Sequence, residues 1–225
     1  MNIRVSILET GRIRIRPSHR SQSADTPVWL RRLRVLCDRH WTEPLPINVY
    51  LIEHPEGRIL FDCGESPRAA SPGYFPWWQP FFCLCTDIRT TPTEDIGARL
   101  AARGIDPKTD LKAVVLSHLH HDHADGLPDL VGAPVFVSAA HWAAFGRPLQ
   151  AALQGAVPAQ WPVGFAPHIL EPTGPPVGPW DKSYPVTEDG REVAVDTPGH
   201  VPGHISLLVR SDDATYLAAG DLTYD

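Results

Sequence analysis

Apolar and polar residues alternate most clearly in Gly11-Arg12-Ile13-Arg14-Ile15-Arg16, a period of two that predicts a strand with one buried face. The alternation is read across the first forty residues. It places the nine arginines from Arg4 to Arg39, interleaved with Ile, Val and Leu, at solvent-facing strand positions. Ile47–Ile52 and Arg58–Asp62 are short apolar runs around His54-Pro55-Glu56-Gly57, the signature of a hairpin. Thr93–Arg103 reads as a helix, with Thr93 as cap, Glu94 and Asp95 in the first turn, and Gly104 as terminator. Further strands are expected at Leu111–Leu116, Ala133–Val137, Glu192–Asp196, Ile205–Arg210 and Thr215–Ala219, with a short helix at Ala139–Phe145.

Two stretches carry no period. Residues 66–92 are crowded with Pro and aromatic residues and read as a hydrophobic plug, or as a rigid loop over a pocket. Residues 158–180 hold seven prolines and read as an irregular covering segment, too long for an ordinary turn. Strands with interspersed helices point to one layered mixed α/β domain spanning residues 1–225.

Composition narrows the setting. The chain has 43% hydrophobic and 20% charged residues, ordinary for a globular protein, and a net charge of −6 that gives no case for nucleic-acid binding. No apolar run approaches the roughly 20 residues that span a bilayer, and no leader pattern is visible, so no membrane partner is expected. Cys37, Cys63, Cys83 and Cys85 lack a paired framework and read as buried free thiols, consistent with a reducing cytoplasm.

The chemistry gathers where the strand Leu111–Leu116 ends, in Ser117-His118-Leu119-His120-His121-Asp122-His123. Imidazole and carboxylate together suit zinc and its borderline neighbours. His118 and His120, two apart, share a face of an extended chain and can converge on one ion. Asp122 and His123 could serve a second ion. His200, in Thr197-Pro198-Gly199-His200, and Asp221, in Ala219-Gly220-Asp221, sit at other strand ends and can complete the set. His121 falls outside the pattern and reads as a pocket-wall or surface residue. His204 reads as supporting or structural. His19, His40, His54, His141 and His168 read as ordinary structural histidines, not ligands.

These residues resemble the metallo-β-lactamase-fold superfamily: Asp62 in Phe61-Asp62-Cys63-Gly64, then His118-x-His120-x-Asp122-His123, then His200 and Asp221. Ser117, the segment Thr197-Pro198-Gly199-His200 followed by Pro202-Gly203-His204-x-Ser206, and Tyr224 three residues after Asp221 are most similar to the N-acyl-homoserine lactonases. The resemblance implies a four-layer αββα sandwich whose second half is incomplete here. It implies two divalent cations, zinc by family habit, one held by His118, His120, His200 and Asp221, the other by Asp122, His123 and the shared Asp221. It further implies attack of a metal-bridging hydroxide on a lactone carbonyl, with the Tyr224 phenol stabilising the oxyanion and Asp122 passing a proton to the leaving alkoxide. Tyr224 is otherwise an ordinary tyrosine near a strand end. Asp62 either orients a ligand histidine or only shapes the turn before Gly64.

Family members continue past the shared aspartate and add one more histidine, whereas this sequence ends at Asp225. The expectation is a chain lacking the family's C-terminal segment, with a weakly held second ion and an uncovered sheet edge or face that would permit a homodimer. An acyl lactone is the expected small-molecule substrate. The same scaffold serves thioesters of the glyoxalase II type, phosphodiesters and β-lactams, and a metal-binding protein without turnover is the remaining alternative.

Overall fold

The computed structural model describes residues 2–23 and 25–222. In chain order the elements are β1 (Arg4–Ile15), α1 (Pro17–Arg20), α2 (Val28–Cys37), β2 (Leu45–His54), β3 (Gly57–Phe61), α3 (Pro80–Cys85), β4 (Thr86–Arg89), α4 (Ile96–Ala101), α5 (Pro107–Asp110), β5 (Leu111–Val115) and α6 (His121–Ala124). They continue with β6 (Val135–Ser138), α7 (Ala139–Phe145), α8 (Pro148–Leu153), β7 (His168–Leu170), β8 (Tyr184–Pro185), β9 (Glu192–Asp196), β10 (Ile205–Arg210) and β11 (Thr215–Ala218).

Two sheets face each other. The first has the order β4-β1-β2-β3-β5-β6-β7, antiparallel from β4 to β3 and parallel from β3 to β7. The second has the order β11-β10-β9-β8 and is antiparallel throughout. Phe61 and Val115 from the first sheet pack between the layers against Ala194, Ile205 and Leu207 from the second. Full burial of side chains the size of Phe or Leu contributes about 1.5–3 kcal/mol each. The opposite face of the first sheet packs Leu60, Val114 and Leu116 against Leu100, Leu127 and Phe145 from the helical layer. On the outer face of the second sheet, Val193, Val195 and Leu208 are met by Val177 and Trp180 from a loop. The edge strand β11 leaves Tyr216 and Leu217 exposed.

Several sequence expectations change. The alternation in Gly11–Arg16 is a strand with Ile13 and Ile15 buried, but that strand already begins at Arg4, with a register shift between Glu9 and Arg12. Arg31, Arg32 and Arg34 sit on α2, not on a strand, because a long helical segment leaves the sheet after β1. The predicted helix at 93–103 shortens to α4, since Asp95 accepts from the Ala98 N–H at 2.7 Å and takes the cap from Thr93. Within 66–92, Pro80 at a first helical position starts α3, and β4 then pairs with the edge of β1. Residues 158–180 stay largely irregular, with a 3₁₀ turn at Pro158–Gln160 and the short β7. Cys63 and Cys85 are buried, but Cys37 and Cys83 are exposed, each on the outer side of a surface helix. Among the described residues no helix is long and apolar enough to cross a membrane.

Candidate metal centre

Each candidate residue among the described ones sits just beyond the carboxyl end of a strand. Asp62 follows β3, the 117–123 block follows β5, His200 follows β9 and Asp221 follows β11. Backbone bonds stitch these ends together: Asp62 N–H donates to Val115 O at 2.9 Å, Cys63 N–H to His123 O at 2.9 Å, and Ile205 N–H to Ser117 O at 3.2 Å. The last of these links the two sheets.

The protons of the imidazoles are directed outward. Ser117 Oγ donates to Asp62 Oδ2 at 2.9 Å, so it accepts from His118 Nδ1 at 2.9 Å. His118 Nε2 is then left as a bare nitrogen, fully buried and without a hydrogen-bond partner. His120 Nε2 donates to Gln154 O at 2.6 Å, and its Nδ1 turns inward, 2.9 Å from His200 Nε2. His123 Nδ1 donates to Asp62 Oδ2 at 2.8 Å, and its Nε2 lies 3.0 Å from Asp221 Oδ1. An imidazole whose proton is spent on an outward acceptor presents the lone pair that a cation needs.

Asp221 reaches both groups. Its Oδ1 faces His123, and its Oδ2 lies 3.3 Å from His200 Nε2. The ligand-type atoms form two sets, His118 with His120 and His200, and His118 with His123 and Asp221. Asp122 is further out, its Oδ2 3.8 Å from His123 Nε2. An orphaned buried nitrogen amid imidazole and carboxylate donors fits a divalent cation. Tyr224 lies outside the described residues.

Charge divides the set into neutral imidazoles and a His123 held protonated against Asp221, a proton that a bound cation would have to displace. Burial, reinforced by neighbouring imidazoles, drives the His118 pKa well below the ordinary value. Burial and His200 lower His120, and burial lowers His200. Burial would lower His123 too, but Asp221, Asp62 and Asp122 outweigh it and hold it well above the ordinary value. Burial opposes ionisation of Asp221, yet His123 and His200 keep its carboxyl below the usual range.

The supporting residues hold the frame. The Asp62 backbone adopts φ 65°, a left-handed conformation rare for a non-glycine residue. That turn aims both carboxylate oxygens at the 117–123 block, so Asp62 orients a histidine as well as shaping the turn. His204 is fully buried, its Nε2 accepting from the Asp221 N–H at 3.1 Å and its Nδ1 facing Thr197 Oγ1 at 2.9 Å. Gly220, at φ 59°, passes so close that a Cβ there would stand 2.7 Å from His204 Nε2. His121 is buried at the cavity wall, one of the two places read for it, and bonded to Glu65 Oε2 at 2.5 Å; burial would lower its pKa, but Glu65, Asp122 and Asp125 together raise it to about 9.

Three contributors escaped the sequence reading. His141 accepts from the Leu119 N–H at 2.9 Å and donates to Pro202 O at 2.8 Å, tying the two ligand loops together. The Gln154 contribution is a backbone carbonyl, which leaves no mark on residue type. His19, beyond the end of β1, lines the cavity beside the centre. Only its position in an arginine-rich stretch marked it, and that signal says nothing of what it faces.

The cavity measures about 1140 Å³ and reaches from Asp122, His200 and Asp221 to apolar walls that include Ile13, Ile15, Val35 and Phe82. Such a space combines a polar, ligand-rich floor with walls that accept a hydrocarbon chain.

The sequence model described as the metallo-beta-lactamase superfamily matches residues 42–225. N-acyl homoserine lactonase AttM of Azorhizobium caulinodans is 30% identical over 175 residues, covering 74% of this chain and 60% of that protein. The chain thus spans about three fifths of the length of this curated relative. A B. thuringiensis AiiA variant with N-decanoyl-L-homoserine bound at its active site superimposes with a TM-score of 0.72 at 24% identity, covering 96% of this chain and 75% of that one. AidC, described as a dizinc quorum-quenching lactonase, gives a TM-score of 0.59 at 19% identity over 96% of this chain and 70% of that one. At these identities the structural likenesses bear on fold alone.

Proposed function

The chain belongs to the metallo-beta-lactamase superfamily, and from that premise we propose that it is a dinuclear-metal hydrolase that opens the ring of N-acyl-homoserine lactones. The observation that carries the reading is Asp221, with one carboxylate oxygen on His123 and the other on His200. His118, His120 and His200 would hold one divalent cation and His123 and Asp122 the other, with Asp221 shared and zinc as the metal. When bound, such a pair acidifies water and polarises a carbonyl oxygen.

The chain's own residues supply orientation and proton handling. Asp62, Ser117 and Gln154 O fix the imidazole tautomers that leave bare nitrogens facing inward. His204 fixes the backbone of Asp221, so its two oxygens keep their opposed directions. Asp122 lines the cavity beside His123 and can carry a proton to the alkoxide released when the lactone C–O bond breaks. The apolar walls take the acyl chain and exclude water from the reacting end. AttM of Azorhizobium caulinodans, named as an N-acyl homoserine lactonase, supports the substrate class.

Ring opening releases one proton per lactone, so pH-stat titration of the cation-loaded chain with N-acyl-homoserine lactones tests the reading. Saturable proton release that Asp221→Ala abolishes is the expected result. No release, or faster turnover of thioesters or phosphodiesters than of lactones, would overturn it.

A further inference from the structure

The helix α2 carries an apolar stripe that the protein leaves uncovered. Trp29, Leu33 and Leu36, spaced four and three apart on one helical face, are 67%, 48% and 49% exposed. They do not stand alone. Trp77 is 91% exposed, and Trp78 and Leu153 are 42% and 63% exposed. Leu36, Trp78 and Leu153 also line the cavity, so three separate elements bring exposed apolar side chains to its mouth. Scattered surface leucines need no account, but exposed tryptophan and leucine brought by three elements to one cavity entrance do.

The charge around this rim opposes that of the rest of the chain. Residues 25–43 contain four arginines (Arg31, Arg32, Arg34, Arg39) and three acids (Asp25, Asp38, Glu43), a small positive excess in a protein of net charge −6. Asp38 is engaged by the N–H groups of Ser18 and His40, both at 3.0 Å. Glu43 pairs with Arg20 at 3.0 Å. The face therefore combines exposed tryptophans, leucines and a local excess of arginine on an amphipathic helix. That combination suits the interface of an anionic bilayer, where indoles settle at headgroup level and arginines meet lipid phosphate. A second copy of the same face would bring like charges together.

We propose that the cavity mouth, framed by α2 and the Trp77–Trp78 segment, docks peripherally on anionic phospholipid surfaces. The sequence expectation of no membrane partner concerned spanning segments; this is attachment from one side. Docking would open the cavity toward the lipid, so an amphiphilic substrate dissolved in the bilayer could enter polar end first, its reacting group reaching the ligand-rich floor while its tail lies along the apolar walls. The proposal does not depend on which ester bond the centre hydrolyses.

The test is co-sedimentation of the full chain with vesicles of phosphatidylglycerol and phosphatidylcholine, and with phosphatidylcholine alone. Binding to the anionic vesicles only, weakened by salt and accompanied by a blue shift of tryptophan emission, is the expected result. Arg34→Gln and Arg39→Gln, neither in the cavity, should each weaken binding about fivefold. Trp29→Ala with Leu33→Ser should abolish the blue shift while circular dichroism stays unchanged. Absence of binding, or binding indifferent to these variants, would overturn the proposal. A dimer in sedimentation velocity that Trp29→Ala with Leu33→Ser dissociates would also overturn it, because a second copy would then be the occupant.

Discussion

Asp62 Oδ2 lies 2.8 Å from His123 Nδ1, joining the end of β3 to a residue sixty-one positions further along. The same carboxylate accepts from Ser117 N–H at 2.7 Å and Ser117 Oγ at 2.9 Å. One buried acid therefore sets the tautomers of both His118 and His123. Asp62→Asn keeps the volume but puts an N–H₂ where an acceptor is needed. Divalent-cation affinity is expected to fall about 10- to 100-fold. A competition titration against a chromophoric chelator measures this; wild-type affinity in the variant would refute the orienting role.

His141 makes a different kind of contribution, because its two bonds join the ligand loops. His141→Phe fills the same space, and the ring can still pack on Phe145, whose centroid lies 4.1 Å away. It leaves the buried Leu119 N–H unpaired, whereas the carbonyl of the exposed Pro202 can turn to water. One orphaned buried donor costs about 1–3 kcal/mol, so a loss of that size is expected. Thermal denaturation should show a Tm lowered by about 2–12 °C.

Glu192 lies at the start of β9, away from the metal centre, fully buried and with both carboxylate oxygens lacking a hydrogen-bond partner. Burial, reinforced by Asp189 and Glu56, pushes its pKa up to about 8 from 4.5. Its folded value lies above its unfolded value, so the folded state holds the proton more tightly. The associated stability is complete below pH 4.5 and is lost as pH rises to about 8, a change on the order of 4–5 kcal/mol. Denaturant titrations across that window should show the decline in wild type and a flatter profile in Glu192→Gln. Parallel profiles would refute it.

Cation removal and return should resolve two classes of site. His118, His120 and His200 offer three nitrogens to one ion, whereas Asp122 stands 3.8 Å from His123 on the other side. Stepwise chelation is expected to strip one equivalent first, and His200→Ala to lose the tighter one. Two equivalents leaving together with equal affinity would contradict this.

The candidate donors were legible in the sequence because metal chemistry restricts them to a few residue types, and because the ends of β5, β9 and β11 were marked by apolar runs. His118, His120, His123, His200 and Asp221 do meet. The longer strands of both sheets were likewise readable from periodicity, whereas α2, α8 and the short strands β4, β7 and β8 were not. Their pattern is set by which side faces the sheet, and α2 buries little besides Val35.

What the sequence determined by itself was the identity of the donors and the order in which the strands deliver them. Only the tertiary structure decided which nitrogen of each imidazole faces inward, since that depends on Ser117, Asp62 and the carbonyl of Gln154, partners that are distant or without side-chain identity. It also decided that His141 and His121 are buried supports, and it bore out the supporting role read for His204. A histidine's role follows from what its two nitrogens meet, and local residue pattern does not encode partners brought together across two sheets.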